Sequence, residues 1–242
     1  KLTASASESD RLTFVANAVS VPYAQDPLGL NREQFEDDPR QATAVAELFN
    51  TRKEVGQQQL GMHWEHSVGA SQSLRVMAYG GHREVEQFLA IPASAQANPL
   101  HAGGVIDLDG DYAGSDLRWS WQTDTASLDV GVSVDGQDQR RRGYENFSGD
   151  ELGIRGELRR DESNQVRNVD EYVQANWSPT PFWSFDVGLR HSQIDFRATD
   201  DYINGVNPDD SGKRDYTATT PVLGVLMKPS ADLRFYAAWG EG

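Results

Sequence analysis

Alternating aspartates form the first group of side chains in this sequence that could bind a metal ion. Asp107, Asp109 and Asp111 are two residues apart, so in an extended chain their carboxylates lie on the same side. Oxygen ligands of this kind suit a hard cation such as calcium. The segment departs from the calcium-binding loop of an EF-hand, because Tyr112 occupies the position that requires glycine. The pattern therefore favours a solvated strand end over a calcium site.

A second acidic group lies in a segment that also contains Gly205 and Pro208. Its oxygen-bearing residues are Asp200, Asp201, Asn204, Asp209 and Asp210. Glycine, proline, asparagine and aspartate are the residues that tight turns favour. We therefore interpret the segment as a polar, turn-rich loop, and we predict no metal site in it.

Basic residues are concentrated at one place. Arg140, Arg141 and Arg142 are consecutive, and Tyr144 follows them. Their planar guanidinium groups could bind the carboxylates or phosphates of a ligand or of a lipid. The alternative is a hydrated strand end in which exposed ion pairs contribute little. The residues alone leave both interpretations open.

Catalytic arrangements are missing from the sequence. Residues 69–73 lack the final glycine of a nucleophile elbow. His63 and His66 have an odd spacing, so on a strand they point to opposite faces and do not chelate one metal ion. The chain contains no cysteine, which excludes a thiolate nucleophile and a zinc–thiolate site. The sequence therefore predicts that the protein is not an enzyme.

The elements that must position these residues are strands with one apolar and one polar face. Val173, Ala175 and Trp177 alternate with polar residues, and Trp183 begins a similar segment after a short turn. Such alternation, with aromatic residues near the turns, suits a barrel that stands in lipid around a water-filled lumen. The predicted strands lie near residues 1–6, 11–21, 53–68, 73–89, 107–122, 127–140, 165–178, 182–198, 214–228 and 232–240.

Short and long connections alternate between these strands. The long connections are predicted at residues 22–52, 90–106, 141–164 and 199–213. Two crossings separate each long connection from the next, so all four must emerge at the same end. The predicted fold class is all-β: an antiparallel up-and-down transmembrane β-barrel meander, a partial barrel of roughly ten strands with long extracellular loops.

The first long connection contains signals for helices. Asn31 and Gln34 resemble a capping box, and Pro39 is suited to open a second helical segment. We therefore expect two short helices in this connection.

Two other segments depart from regular alternation. Leu152–Arg159 alternates like a strand, but counting it as a crossing would place two consecutive strands in the same direction, so we assign it to an extracellular loop. The alternation around residues 107–112 is out of phase with the apolar residues that follow, which predicts a bulge or bend near Gly114.

Composition restricts the partners of the protein. With 37 acidic and 22 basic residues, the formal net charge of −15 argues against nucleic acid as a partner. The mean hydropathy of −0.62 is low, but barrel strands present only every second residue to lipid. The long uncharged run from Phe88 to Ile106 contains two prolines and is not a spanning helix. Because the first residues contain no export signal, we expect one to be removed or to lie outside the sequence.

Four segments carry a resemblance to a known family. They are Asp26–Leu30, Phe49–Lys53, Tyr172–Trp177 (Tyr-Val-Gln-Ala-Asn-Trp) with Gly188–Arg190 (Gly-Leu-Arg), and Leu233–Gly242. Their order and hairpin spacing resemble the barrel of TonB-dependent outer-membrane receptors of the siderophore type, and the resemblance covers nearly the whole chain.

This resemblance implies a function and a location. In that family a barrel of about 22 strands surrounds an amino-terminal plug in the outer membrane of Gram-negative bacteria. The barrel binds a ferric siderophore from outside, and the TonB complex energises its release by pulling on the plug. Residues 1–242 are then expected to be part of the barrel domain, with the plug and the closing strands not present. The expected partners are outer-membrane lipid, the TonB complex through the plug, and a ferric siderophore or similar chelate as transported ligand, with no resident cofactor.

The resemblance also suggests where a ligand would bind. Arg140, Arg141, Arg142, Tyr144 and Tyr202 lie in or beside the long connections and would offer charge and aromatic area to an anionic, catecholate or hydroxamate chelate. A passive porin or structural outer-membrane barrel explains the alternation equally well, but not the order of the motifs. A soluble carbohydrate-binding domain explains the charge, but it would leave large apolar faces exposed.

Overall fold

The computed structural model describes residues 1–241, most of which lie in β-strands. The strands are β1 (Leu2–Ser5), β2 (Asp10–Gln25), β3 (Arg52–Val68), β4 (Gln72–Phe88), β5 (Val105–Gln122), β6 (Ala126–Tyr144), β7 (Phe147–Ser148), β8 (Glu151–Leu152), β9 (Leu158–Thr180), β10 (Trp183–Asp200), β11 (Gly212–Met227) and β12 (Phe235–Gly240). The helices are α1 (Arg32–Asp37), α2 (Ala44–Leu48) and α3 (Ala93–Gln96). None of the helices in this part of the chain is long and apolar enough to cross a membrane.

One antiparallel sheet contains ten of these strands, in the order β1-β2-β3-β4-β5-β6-β9-β10-β11-β12. Strands that are adjacent in this order are hydrogen-bonded to each other, and β1 and β12 form the two edges of the described sheet. The two remaining strands, β7 and β8, pair with each other in a small hairpin. The predicted antiparallel meander is therefore confirmed.

The strands extend further than the apolar alternation predicts, chiefly at the end with the long connections. Strand β6 continues to Tyr144 instead of residue 140, and β9 begins at Leu158 instead of residue 165. Backbone hydrogen bonds continue where both faces become polar, whereas the alternation that predicts a strand stops there. The long connections are consequently shorter than predicted and span residues 26–51, 89–104, 145–157 and 201–211.

The cross-strand registers divide the side chains of the sheet into two faces. Leu74 of β4 pairs with Trp119 of β5, which pairs in turn with Val130 of β6, and these residues define the apolar face. Arg75 and Arg118, one position along, pair on the opposite, polar face. Bulky side chains on the apolar face are exposed in the sheet, as a surface that contacts lipid requires.

The first long connection contains both predicted helices. The side-chain oxygen of Asn31 accepts a hydrogen bond from Gln34 N, and the side-chain oxygen of Gln34 accepts one from Asn31 N, both at 2.9 Å. This confirms the capping box. The second helix begins after Thr43, whose hydroxyl accepts from Ala46 N at 3.1 Å, and not at Pro39. Threonine supplies a side-chain acceptor for a free amide of the first turn, which proline lacks.

The segment Leu152–Arg159 makes no additional crossing. Leu152 belongs to the β7–β8 hairpin, which lies inside the connection between β6 and β9. The assignment to a loop is correct up to residue 157, but Leu158 and Arg159 already belong to β9.

The predicted bulge near Gly114 is wrong, because the registers of β5 with both neighbours pass through it without a shift. The apolar residues of β5 change from even to odd positions for another reason. Leu108 pairs with Val85 on the polar face, near the long connections, whereas the apolar residues later in β5 lie on the opposite face. Gly114 lies opposite Tyr79, and a Cβ at this position would be 2.6 Å from Tyr79 Oη and from Asp135 Oδ1. The glycine therefore makes room for the hydrogen bond that Tyr79 donates to Asp135.

Tyrosine also lies opposite glycine at two further places on the polar face. Gly81 pairs with Tyr112, and Gly131 pairs with Tyr172. A Cβ on Gly131 would lie only 2.3 Å from Tyr172 Oη. Glycine weakens a strand by itself, but here it allows a large ring to lie flat across the neighbouring backbone.

Buried apolar side chains in the described residues are found at the end of the sheet with the long connections. They are Ala46, Phe49, Val85, Phe88 and Val105. The remainder of the sheet has no buried apolar layer of this kind, because one of its faces is suited to lipid and the other to water.

Asn146 ties two of the long connections together. It is fully buried, and its Nδ2 donates to the carbonyl oxygens of Leu89 and Ile91 at 2.6 and 3.1 Å. Its Oδ1 accepts a hydrogen bond of 2.6 Å from Gln96, which is also fully buried. The connections 89–104 and 145–157 therefore share one polar core.

We predict that the substitution Gly131→Ala destabilises the sheet. The new methyl group would displace Tyr172 and break its hydrogen bonds to Asp116 at 2.9 Å and from Arg118 at 3.0 Å. Overpacking of this kind costs about 1–3 kcal/mol, so the thermal unfolding midpoint in detergent should fall. Gly61→Ala is the matched control, since its nearest contact would be an ordinary 3.8 Å. Equal midpoints for the two variants would contradict the prediction.

We predict that Asn146→Ala loosens both connections without opening the sheet. The change leaves the Leu89 carbonyl without its side-chain donor, whereas the Ile91 carbonyl keeps the hydrogen bond from Gln96 Nε2 at 2.8 Å. An unsatisfied buried group costs about 1–3 kcal/mol. Amide hydrogen exchange should accelerate across residues 89–104 and 145–157 while β4 keeps its protection. Asn98→Ala, which removes only a local turn contact to Leu100 N, should not change exchange in 145–157. Acceleration confined to one connection would show that Asn146 does not couple them.

Candidate functional site

The polar face of the sheet is the face that can line a lumen. A curved sheet that stands in lipid must direct its apolar face outward, because polar side chains in hydrocarbon are costly. The polar face is therefore called the lumen face here, and the apolar face and its continuation beyond the lipid are called the outer face. The long connections lie at one end of both faces, the mouth of the barrel.

The three consecutive arginines of β6 are divided between the two faces. Arg140 and Arg142 lie on the outer face, because they pair in register with Asp109 and Asp107. Arg141 lies between them and points to the lumen face. The structure therefore does not bring the three guanidinium groups together.

Arg140 and Arg142 are both held by carboxylates. Arg140 donates to Asp161 through two nitrogens, at 2.8 and 2.6 Å, in a bidentate arrangement. Arg142 lies 3.3 Å from Asp107. A bidentate pair with a largely buried carboxylate fixes the side chain geometrically, so these arginines stabilise the extended strands.

Tyr144 also lies on the outer face, where the connection 145–157 covers it. The guanidinium of Arg155 stacks over its ring at 4.5 Å. Arg155 also pairs with Glu86 and with Asp107, the latter at 3.2 Å. Tyr144 is therefore part of the contact that holds this connection against the strands.

Asp107 therefore forms ion pairs with Arg142 and Arg155. The other two aspartates of the Asp107, Asp109 and Asp111 group contact a histidine instead. Asp109 and Asp111 lie beside His82 of β4, which the sequence reasoning did not consider. The three aspartates share one face as predicted, but their carboxylates have different partners.

Arg141 borders a cavity of about 420 Å³ on the lumen face. It pairs in register with Glu162 of β9, which pairs with Asp200 of β10. The other residues of this cavity are mostly amides and apolar side chains: Gln137, Gln139, Asn164, Val166, Phe196, Ala198 and Asp210. The cavity therefore combines one cation, several carboxylates and an aromatic ring.

Tyr202 borders a second cavity of about 230 Å³, between the connections 89–104 and 201–211. The two cavities share Glu162, Asp200 and Asp210. We call them together the mouth cleft. Of the predicted ligand-binding residues, Arg141 and Tyr202 are the two that lie along it.

The connection that carries Tyr202 is shaped by its own polar side chains. Asp200 accepts a hydrogen bond from Tyr202 N at 2.8 Å, and Asn204 accepts from Asn207 N at 3.0 Å. Hydrogen bonds from the side chain and the backbone N–H of Ser211 lower the pKa of Asp209. These acidic and amide groups form turns, as the interpretation of a turn-rich loop predicts.

Electrostatics single out Arg141 among the arginines around the cleft. Arg160 pairs with Glu162 at 2.7 Å and Arg159 pairs with Glu145 at 2.7 Å. Within residues 1–241, none of the ion pairs or hydrogen bonds of side chains involves Arg141. A guanidinium without a protein partner can form two parallel hydrogen bonds with a carboxylate, hydroxamate or catecholate.

Sequence reasoning missed the amides and Phe196 that line the cleft. Alternation contains the signal, because Gln137, Gln139 and Arg141 are two residues apart and share a face. Their approach to Phe196 depends on the register between β6, β9 and β10, which spacing within one strand does not reveal.

Solved structures resemble this partial barrel. The unliganded ferric citrate transporter FecA superposes with a TM-score of 0.76 at 14% identity, over 98% of this chain and 34% of that one. The siderophore receptor PiuA from Acinetobacter baumannii gives 0.63 at 12% identity, over 98% and 43%. The copper transporter OprC gives 0.66 at 13% identity, over 98% and 35%. This chain thus spans less than half of each structure, and at these identities the likeness shows the fold.

The family is shown by a sequence model rather than by these superpositions. The model is described as TonB dependent receptor-like, beta-barrel, and it matches residues 4–242. Receptors of this family belong to the outer membrane of Gram-negative bacteria. The chain therefore belongs to the TonB-dependent receptor-like β-barrel family.

Proposed function

We propose that this chain forms part of the wall of an outer-membrane receptor that imports a ferric siderophore or a similar metal chelate, energised through TonB. The observation that carries the proposal is the family match over residues 4–242. The similar structures are named as a ferric citrate transporter, a siderophore receptor and a ferric preacinetobactin receptor, which supports a chelated metal as cargo. We infer that the protein acts in the outer membrane of a Gram-negative bacterium.

The lumen face supports transport of a polar solute. Tyr172 and Arg118 form a hydrogen bond at 3.0 Å, and Asp170 accepts hydrogen bonds from Ser192 at 2.5 Å and from Arg190. These groups satisfy one another along the wall, so they remain fixed while water and solute pass. We propose that a plug domain occupies the lumen beside this wall and couples it to TonB.

The mouth cleft is the part of the wall where we propose that the ligand first binds. Arg141 would pair with anionic oxygens of the chelate, and Phe196 and Tyr202 would supply aromatic area. We propose no binding role for Arg140, Arg142 and Tyr144, because their contacts on the outer face are already made.

We predict that cells producing the complete receptor take up radiolabelled iron from at least one of three probes: ferric citrate, a ferric catecholate and ferric preacinetobactin. Uptake should stop when TonB is deleted, because release through a plug requires the energised partner. Cells that lack the receptor are the control. Uptake that persists without TonB would indicate a passive porin instead.

We predict that Arg141→Ala weakens equilibrium binding of the transported chelate by about tenfold or more, because a hydrogen bond to a charged group contributes about 1.5–3 kcal/mol. Fluorescence quenching or calorimetry on the purified receptor would measure this change. Arg167→Ala is the control. It removes a charge from the outer face of β9, where Arg167 lies 3.3 Å from Asp138 and both side chains are exposed. Equal affinity in the two variants would remove Arg141 from the site.

A further inference from the structure

A second group of metal-ligating side chains lies outside the mouth cleft, on the outer face of β4 and β5. His82 pairs in register with Asp111, and Glu84 pairs with Asp109. Directly opposed side chains in an antiparallel pair have Cβ atoms about 4.5–5.5 Å apart. The four side chains therefore form one cluster. All four lie on the outer face, so the sheet separates the cluster from the lumen.

The cluster lies beyond the apolar part of the outer face. From the short turn at its start, β4 places Leu74, Val76, Ala78 and Gly80 on the outer face. His82 is the next outer-face residue and the first one that is charged or titratable. Its imidazole is about two-fifths exposed. An ion in the external medium could therefore reach this position without entering the barrel.

Two of the three distances between the ligand atoms are close to those of a tetrahedral metal site. His82 Nε2 lies 3.2 Å from Glu84 Oε1 and 3.6 Å from Asp109 Oδ2, and all three ligand atoms lie within 4.8 Å of one another. Ligands of tetrahedral zinc lie about 2.0–2.2 Å from the ion, which places two ligand atoms about 3.3–3.6 Å apart. The two measured histidine–carboxylate distances lie close to that range.

Asp111 completes the arrangement from the other side of the imidazole. Its Oδ1 lies 2.9 Å from His82 Nδ1. In metal sites the ligating histidine usually donates its second N–H to a carboxylate, which fixes the tautomer and directs the free nitrogen at the ion. The contact with Asp111 would hold Nε2 toward Glu84 and Asp109 in this way.

The charges around the cluster leave it without a nearby basic partner. The register places Arg140 opposite Asp109, but its guanidinium is committed to Asp161. Arg142 is committed to Asp107. Three carboxylates therefore surround one imidazole, and a divalent cation would offset their mutual repulsion.

We propose that His82, Glu84 and Asp109 bind a divalent transition-metal ion, with Asp111 as the residue that positions His82. An imidazole ligand favours zinc, nickel or copper over calcium and magnesium, which prefer oxygen ligands only. Three protein ligands leave at least one coordination position for water. The site is separate from the mouth cleft and does not depend on the proposed import of a chelate.

The test is a calorimetric titration of zinc chloride into the complete receptor, purified in detergent and stripped with a chelator. The parent protein should show one saturable binding event that His82→Gln and Glu84→Gln abolish. Asp111→Asn should weaken the affinity roughly 10–100-fold, as loss of a supporting carboxylate does elsewhere. His191→Gln is the matched control, because His191 is a half-buried outer-face histidine that bonds to Thr219 at 2.9 Å.

Calcium chloride distinguishes a built site from a diffuse acidic surface. A site that uses the imidazole should bind calcium far more weakly than zinc, whereas an acidic surface should bind both ions and ignore the loss of His82. Zinc affinity that is unchanged in His82→Gln, or absent in the parent at millimolar zinc, would overturn the proposal. Circular dichroism of each variant would show that the strands remain formed.

Discussion

The period of two residues along a hydrogen-bonded strand is the constraint on which the rest of this structure depends. Successive side chains must point to opposite faces, and the register passes that choice from each strand to the next. A slip of one residue would place Arg118 on the apolar face and Trp119 on the lumen face. The sheet therefore separates lipid-facing from water-facing residues without a buried layer of its own, and its buried apolar residues lie under the long connections.

Extension of the strands beyond the apolar belt changes the role of the outer face. Within the apolar belt, the outer-face residues of β6 are Val130, Val132 and Val134. Beyond the belt, toward the long connections, they include Arg140 and Arg142. Side chains beyond the belt face water, so charge is permitted, and paired charges can hold the strands together where lipid no longer does. This explains why the acidic and basic residues of the long strands meet in pairs across neighbouring strands.

Most of the fold could be predicted from the sequence, because alternation and turn residues act locally. The ten strands, their directions and the capping box of α1 follow from residues close together in the chain. The bulge predicted at Gly114 is absent for a physical reason, since the apolar pair of Leu108 and Val85 lies on the other face and beyond the apolar belt.

The candidate site could be predicted less well from local sequence patterns. The alternation of side chains along a strand already places Arg141 and Arg140 on opposite faces. That Phe196 and Asp200 lie near Arg141 follows only from the register of β6 with β9 and of β9 with β10.

The difference between the two faces also bears on which charged groups are available to a ligand. On the outer face beyond the apolar belt, Arg140 lies beside the carboxylate of Asp161, and the bidentate pair occupies its guanidinium. An arginine on the lumen face lies in water, where it can remain without a protein partner at little cost. Arg141 is the residue of the triplet that meets this condition. The three adjacent arginines therefore have different roles because they lie on different faces. Arg140 and Arg142 stabilise the wall, and Arg141 can recognise a solute.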